Sequence, residues 1–410
     1  MNKKVIWIIN QTAGKPDSGW GERHYYLAKY WVNNGYNVKI ISGSYNHLFI
    51  NQPKISKKTF TIEEVEENIT FCWVKTPRYN GGGYRKFWSN IIYTLKVFFI
   101  SSKTLSKPSY LIVSSMPIFP IINGYFFKKW FNAEKLIFEV RDLWPLTPVY
   151  LKGYSKKHPL IKIVAWFEKF AYKKADVIVS LLPNAYNYID KISGNPSKFN
   201  WIPNGIDESL LDNENLSENL QNQIPSDKFI VGYAGTLGMA NAMEYFIEAS
   251  VMMKEISQVH FVIVGDGYLK QKYVVQTKTN TNITFINKIK KNQVQSILKL
   301  FDVCYVGRYN NKLYDYGVSY NKYFDYMLAG KPILESSNNI NSPAEISGCG
   351  IIIEPESGEA IVHGIQKFQL KSKDEMKKIG KKGYVYVKNY HNFEYLSNKY
   401  ITLFKCRPIT

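Results

Sequence analysis

The apolar positions of residues 4–42 fall into blocks with different periods. A continuous apolar run over 4–9 predicts a buried strand, and the glycine-rich stretch 10–21 a loop. Helical spacing over 22–34 predicts a helix stopped by Gly35, and a second apolar run over 38–42 predicts another strand. This is a βαβ unit. Residues 229–265 repeat the order: strand 229–235, loop 235–241, helix 242–254, strand 260–265, then the turn Asp266-Gly267. Between the two units lie the turn Pro203-Asn204-Gly205 and a polar stretch with few large apolar residues, where a domain junction is expected. The pattern predicts an α/β protein of two Rossmann-like domains, with parallel sheets facing a central cleft. The expected division is 1–207, a linker over 208–228, a second domain over 229–385, and a last helical segment, 386–410, returning to the first domain.

Two other stretches change the picture. Residues 110–127 carry no charge, the length of a membrane span. Pro117, Pro120, Asn123 and Gly124 interrupt them, so they read as a buried strand over 110–114, a proline-bounded turn and a helix start. Over 87–100, Trp88, Ile91, Ile92, Leu95, Phe98 and Phe99 share one helical face, and Arg85, Lys96 and Lys103 fall on its flank. That is the pattern of a helix lying in a membrane interface. A core-facing surface helix with a basic edge has the same pattern, and both readings stay open.

Charge sharpens this. The 410-residue chain has 53 Lys plus Arg against 33 Asp plus Glu, a net +20, with 45% hydrophobic residues, which excludes wholesale disorder. Residues 84–174 hold 16 Lys or Arg against Glu134, Glu139, Asp142 and Glu168, a net +12. An anionic partner is expected there. No zinc-finger spacing or RNP-type motif is present, so nucleic acid is not the expected partner; interleaved aromatics fit an anionic membrane surface better. Cys72, Cys304, Cys349 and Cys406 lie far apart, which indicates neither a disulfide framework nor a zinc site. The N-terminus lacks the apolar stretch and cleavage site of a signal peptide, so a cytoplasmic, membrane-associated location is expected.

The richest local chemistry follows residue 300. An apolar strand over 301–306 leads to Arg308 and Lys312, and a helix is expected from about 320, ending before Gly330 and Pro332. Asn321 and Lys322 would occupy its first turn with Asp325 on their face. A helix N-terminus bearing a lysine suits phosphate, and a carboxylate suits a ribose diol. Lys322, Arg308 and the amides over Gly235–Gly238 are candidates for the first role, Asp325 for the second. A capped helix with a surface Lys322–Asp325 pair would look the same.

Taken in order, Ser18-Gly-Trp-Gly-Glu-Arg-His24, Phe138-Glu-Val-Arg-Asp-Leu-Trp-Pro145, Ile202-Pro-Asn-Gly-Ile-Asp207, Val231-Gly-Tyr-Ala-Gly-Thr-Leu-Gly238, Val264-Gly-Asp-Gly267 and Asn321-Lys-Tyr-Phe-Asp-Tyr-Met-Leu-Ala-Gly-Lys-Pro332 resemble retaining glycosyltransferase family 4. More narrowly, they are similar to its fucosamine-transferase-like branch of O-antigen and capsule assembly. The resemblance implies a GT-B fold, a nucleotide-sugar donor in the C-terminal domain, an acceptor in the N-terminal domain, and no essential metal or other cofactor. It departs in three places. The family's Glu-x7-Glu pair falls on Gly317 and Asp325, Gly-Thr-Leu-Gly-Met-Ala-Asn replaces its usual Arg and Lys, and Arg141 stands where a His is common.

The expected activity is retaining transfer of a sugar, an N-acetylated deoxyhexosamine, from a UDP donor to a polyprenyl-diphosphate-linked acceptor. Catalytic candidates are Asp142, Arg141, Lys322 and Arg308; donor-binding candidates are Gly19, Gly21, Gly235, Thr236, Gly238, Asn321, Lys322 and Asp325. Glu139 and His24 are weaker candidates, the histidine reading as a cap-region or surface residue. Alternatives are a non-hydrolysing UDP-sugar 2-epimerase of the same fold and a basic nucleic-acid-binding protein.

Overall fold

A computed structural model of the chain describes residues 3–81, 83–211, 214–338 and 341–406. It divides into two units: the described residues of Met1–Asn204 with Phe393–Thr410, and those of Gly205–Asn392.

In the first unit, strands β1 (Val5–Ile9), β2 (Asn37–Gly43), β3 (Phe60–Glu66), β4 (Ile69–Val74), β5 (Tyr110–Ser114), β6 (Lys135–Val140), β7 (Val177–Ser180) and β8 (Phe199–Trp201) form one sheet in the order β3-β4-β2-β1-β5-β6-β7-β8. All neighbours are parallel except β3, which runs antiparallel to β4 at the edge. A central parallel strand must be apolar on both faces, and β1 is: all five of its residues are buried. Trp7 meets Phe127 and Phe131 of helix Ile121–Phe131 at 5.6 and 5.4 Å between ring centroids. Ile6 and Ile8 join the core of the other face with Trp31 of helix Arg23–Asn33. Helix Phe393–Lys405 completes that core: Trp31 stacks edgewise on Tyr400 and Phe404, and its indole N–H donates to the Ser397 carbonyl.

In the second unit, β9 (Phe229–Ala234), β10 (Val259–Val264), β11 (Ile283–Ile286), β12 (Val303–Gly307), β13 (Ile333–Ser336) and β14 (Gly350–Ile353) form an all-parallel sheet in the order β11-β10-β9-β12-β13-β14. Helices Met243–Met252 and Gly358–Gln369 pack on it through a core that includes Val231, Tyr233, Phe246, Tyr305 and Ile365.

The predicted strands and helices of both βαβ units are present, with ends shifted by one or two residues. The larger differences have local causes. The stretch drawn as a linker over 208–228 lies within the second unit, where it buries Leu216 and Ile224 and its acids pair with lysines, Glu208 with Lys388 at 3.2 Å and Glu214 with Lys290 at 3.1 Å. Residues 212 and 213 of that stretch lie outside the described residues. Helix Lys373–Tyr390 runs past residue 386, and the return to the first unit begins at Phe393; residues 407–410 of the predicted last segment also lie outside the described residues. Residues 110–127 form β5 and the start of helix Ile121–Phe131; no described helix is long and apolar enough to cross a membrane.

Candidate functional site

The best-formed polar constellation lies in the second unit, around the C-terminal ends of β9 and β12. Helix Asn321–Leu328 begins there. Its Tyr326 hydroxyl is locked to the end of β9, accepting from the Ala234 amide at 2.9 Å. With that anchor fixed, the first turn places Lys322 beside the loop after β9. Its ammonium donates to the Tyr233 hydroxyl at 3.2 Å and to Asn241 Oδ1. The ammonium also lies 4.6 Å from the Tyr233 ring centroid and 5.5 Å from that of Tyr320. Desolvation pushes the Lys322 amine down to about 7, and the charge of Arg308 adds to the effect.

The loop itself is braced from both sides. The Tyr233 hydroxyl donates to the Thr236 carbonyl at 2.8 Å, and the Asn241 side-chain amide donates to the same oxygen at 2.9 Å. Gly265 follows β10 at φ +148°, where a Cβ would stand 1.9 Å from the Gly235 carbonyl oxygen; only glycine lets the two loops touch. That contact uses the Gly235 amide, which donates to Val264 at 2.9 Å, and the Leu237 amide donates to Asp266 at 2.9 Å. Gly235 is therefore corrected as an amide donor to a ligand. The amides of Thr236 and Gly238 have no hydrogen-bond partner among the described residues.

Arg308 also needs correction. It was expected to face a phosphate, but its side chain is fully buried and paired with Glu335, itself buried at the end of β13. Arg308 Nη2 further donates to the Tyr323 hydroxyl at 2.8 Å and to Ser337 Oγ at 3.0 Å. Its Nε and Nη1, and Glu335 Oε2, are buried without hydrogen-bond partners among the described residues. Arg308 thus ties helix Asn321–Leu328 to the turn after β13 and acts on Lys322 through its charge. Asn321 is exposed on the first turn and Asp325 half-buried one turn on; the Asp325 carbonyl accepts from Gln295 Nε2 at 3.0 Å.

In the first unit, Glu139 at the end of β6 is the hub of a buried cluster. Its Oε1 accepts from His24 Nε2 at 3.0 Å and Ser114 Oγ at 2.7 Å, and its Oε2 from Arg23 Nε at 3.0 Å and the Tyr400 hydroxyl at 2.5 Å. Burial alone would raise this carboxyl, but the charges of Arg23 and His24 outweigh it and hold it well below the usual carboxylate range. His24 is fully buried, which corrects its reading as a cap or surface residue; desolvation pushes its pKa down against the pull of Glu139.

One step beyond Glu139, Arg141 is half-buried and Asp142 exposed. The Arg141 amide is fixed by Ser115 Oγ at 2.9 Å, while its guanidinium has no hydrogen bond and no ion pair with Asp142 among the described residues. The two side chains still act on each other through charge: desolvation pushes the Arg141 guanidinium down and the Asp142 carboxyl up, and each partner's charge works against that shift. Gly19 and Gly21 stand at φ +66° and +80°; a Cβ on Gly21 would lie 2.3 Å from the Thr12 carbonyl oxygen, so this glycine is required by the fold of its own loop. Sequence reading missed Glu335, Asn241 and Tyr233. The Val231–Gly238 motif contained Tyr233, but its hydroxyl serving a lysine 89 positions away leaves no local signal.

Residues 228–369 match the family model of glycosyl transferases group 1. Over 341 residues the chain is 23% identical to the uncharacterized glycosyltransferase MJ1069 of Methanocaldococcus jannaschii, covering 74% of this chain and 84% of that one. Among solved structures it resembles sucrose-phosphate synthase from Thermosynechococcus elongatus, with a TM-score of 0.76 at 16% identity over 98% of both chains. It also resembles Anabaena HepE in complex with UDP-glucose, with a TM-score of 0.65 at 11% identity over 97% of this chain and 98% of that one. The fold is the GT-B fold of the glycosyltransferases, and the sequence matches support glycosyltransferase activity.

Proposed function

We propose that the chain is a retaining, metal-independent glycosyltransferase that moves an N-acetylated deoxyhexosamine from UDP to a polyprenyl-diphosphate-linked glycan, in O-antigen, capsule or related cell-surface polysaccharide assembly at the cytoplasmic face of the membrane. The observation that carries the donor half is the Lys322 site: an ammonium held by Tyr233 and Asn241, next to the unpartnered Thr236 and Gly238 amides, at a helix N-terminus. Cation, amide donors and helix dipole suit a diphosphate that gains charge as the sugar departs. HepE, a structure of the same fold, binds UDP-glucose.

In this reading Lys322 neutralises the leaving diphosphate, with Thr236 and Gly238 as its amide donors and Asn321 at the helix entrance. Asp325 accepts from the ribose hydroxyls. Gly235 packs the loop, and Arg308 positions the helix. In the first unit, Arg141 offers a guanidinium with no hydrogen bond of its own among the described residues for a phosphate, and Asp142 an exposed carboxylate for the acceptor hydroxyl; Gly19 and Gly21 let their loop approach the donor. Retention follows from attack on the face the leaving group vacates, with the departing phosphate oxygen taking the acceptor's proton.

Thermal shift with UDP-, GDP- and TDP-sugars tests the donor, because a ligand that binds only the folded protein raises its melting temperature. UDP-N-acetyl-deoxyhexosamines should give the largest shift, and sugar transfer to a polyprenyl-diphosphate glycan should persist in EDTA with the anomeric configuration kept. No shift with any UDP-sugar, or inversion at the anomeric carbon, would overturn the reading.

A further inference from the structure

The first unit exposes an aromatic surface that nothing in the donor chemistry uses. Three helices build it: Tyr84–Val97, Ile121–Phe131 and Pro159–Lys174. Their outward residues include Trp88 at 57% exposure, Trp130 at 59% and Trp166 at 55%, joined by Phe99 at 77%, two residues past the end of the first helix. Single exposed apolar residues are ordinary on a soluble protein. These are joined. Phe98, after the first helix, meets Phe126 and Trp130 of the second at 6.0 and 6.1 Å, and Tyr125 of the second meets Phe170 of the third at 5.2 Å. Phe98 is half-buried in these contacts, so it is a strut of the surface and not part of its exposed face.

The charge on the same helices is one-sided. Arg85, Lys129, Lys162, Lys169, Lys173 and Lys174 are exposed. Lys129 and Lys174 sit over the Tyr125 ring at 4.6 and 5.9 Å. Lys96, by contrast, is turned back onto the Lys75 carbonyl at 2.7 Å, and Lys103 lies on the separate short helix Ser102–Leu105. Glu168 is the one acid in the sequence of these three helices, and it does not offset the lysines. Glu168 faces inward, fully buried, and accepts from the Tyr188 hydroxyl at 2.8 and 3.0 Å; Glu139 is buried in its own cluster.

We infer that this three-helix face is a docking surface for an anionic lipid bilayer, with Trp88, Phe99, Trp130 and Trp166 entering the interface and the lysines lying among the headgroups. Tryptophan favours that depth because its ring is apolar and its N–H polar. Each exposed lysine contributes about fivefold to partition onto an anionic surface, and the aromatic face adds its own burial. A protein partner of matching shape would need acids at six scattered positions; a bilayer supplies anionic charge wherever the lysines fall. The helices would lie on the membrane without crossing it.

Cosedimentation of the full chain with vesicles of phosphatidylcholine containing about 30% phosphatidylglycerol tests this and reads binding alone, so its outcome is separate from that of the transferase reading. Wild type should bind these vesicles and bind pure phosphatidylcholine at least tenfold less, with binding falling in high salt. The triple variant Trp88→Ser, Phe99→Ser, Trp130→Ser should lose at least tenfold at low salt, whereas Leu370→Ser, an exposed site on the second unit, should lose nothing. Should the triple variant fail to fold, bromine-labelled lipids in the same vesicles should quench the tryptophan fluorescence of wild type. No binding by wild type, equal binding by a folded triple variant, absence of quenching, or a concentration-dependent dimer abolished by the same three substitutions would overturn the proposal.

Discussion

Each unit buries one ionic cluster at the carboxyl ends of its strands, and the two are built to opposite rules. Around Glu139 both carboxylate oxygens are used: four donors from three elements, helix Arg23–Asn33, β5 and helix Phe393–Lys405, converge on it, and Arg23 also donates to the Ile202 and Pro203 carbonyls. Among the described residues, three buried polar atoms around Arg308 and Glu335 have no hydrogen-bond partner, and Lys322 beside them donates to neutral oxygens alone. A carboxylate with both oxygens occupied has no capacity left for a ligand and fixes architecture, and the one orphan beside it is the neutral ring atom His24 Nδ1, buried without a partner among the described residues. An unsaturated cluster, with a lysine whose charge is destabilised, gains most when an anion arrives.

Breaking the saturated cluster should have the largest effect. Glu139→Ala leaves Arg23 buried without its counter-charge, and removing one partner of a buried pair costs about 3–5 kcal/mol. The first unit should melt early in calorimetry while donor binding by the folded fraction is unchanged. The pH dependence has a definite sign. Because the folded carboxyl lies well below its ordinary 4.5, its stabilisation is fully present above that value and is lost as pH falls from 4.5 toward the folded value. The wild-type chain should therefore lose an acid-sensitive part of its stability that a Glu139→Gln chain lacks.

Next in size is the lysine. Lys322→Ala should lower kcat/KM by about 10²- to 10³-fold, the range seen when one group stabilising transition-state charge is removed, with little change in melting temperature. For wild type, kcat/KM should fall as pH rises above about 7, because the free enzyme then loses the ammonium that the diphosphate needs. Lys322→Arg, which stays charged, should abolish that descending limb. A flat wild-type profile between pH 6 and 9 would remove Lys322 from the donor site and with it the contrast between the two clusters.

How far these clusters could be read in advance follows from how local their signals are. The alternation of strand and helix patterns is local, and it located both βαβ units and the helix at Asn321. The segment from Tyr84 to Lys174 was legible as basic and aromatic for the same reason. Burial was not. Arg308 looks like a phosphate ligand in sequence because nothing near it announces Glu335, which lies 27 positions on and meets it only when β12 and β13 pair. His24 looks like a surface cap until Glu139, 115 positions away, arrives at the end of β6. Asn241 was read as the tail of a loop that had lost its cations, yet it is the residue that receives Lys322.

That last reversal gives the smallest and sharpest test. Asn241 holds two things together: its Nδ2 donates to the Thr236 carbonyl at 2.9 Å, and its Oδ1 accepts from Lys322. An acceptor on the ammonium favours the charged form, so removing it should lower the amine's pKa further. Asn241→Ala should therefore move the descending limb of kcat/KM to lower pH. For a drop of about one unit the loss should be about tenfold at pH 8 and only about twofold at pH 6, where about half of the variant's lysine is still charged. A merely structural role for Asn241 would depress both pH values equally. Donor titrations at the two pH values, with melting temperature as the control for folding, separate these outcomes, and a pH-independent loss would show that the lysine's charge is set by burial and Arg308 without help from the loop.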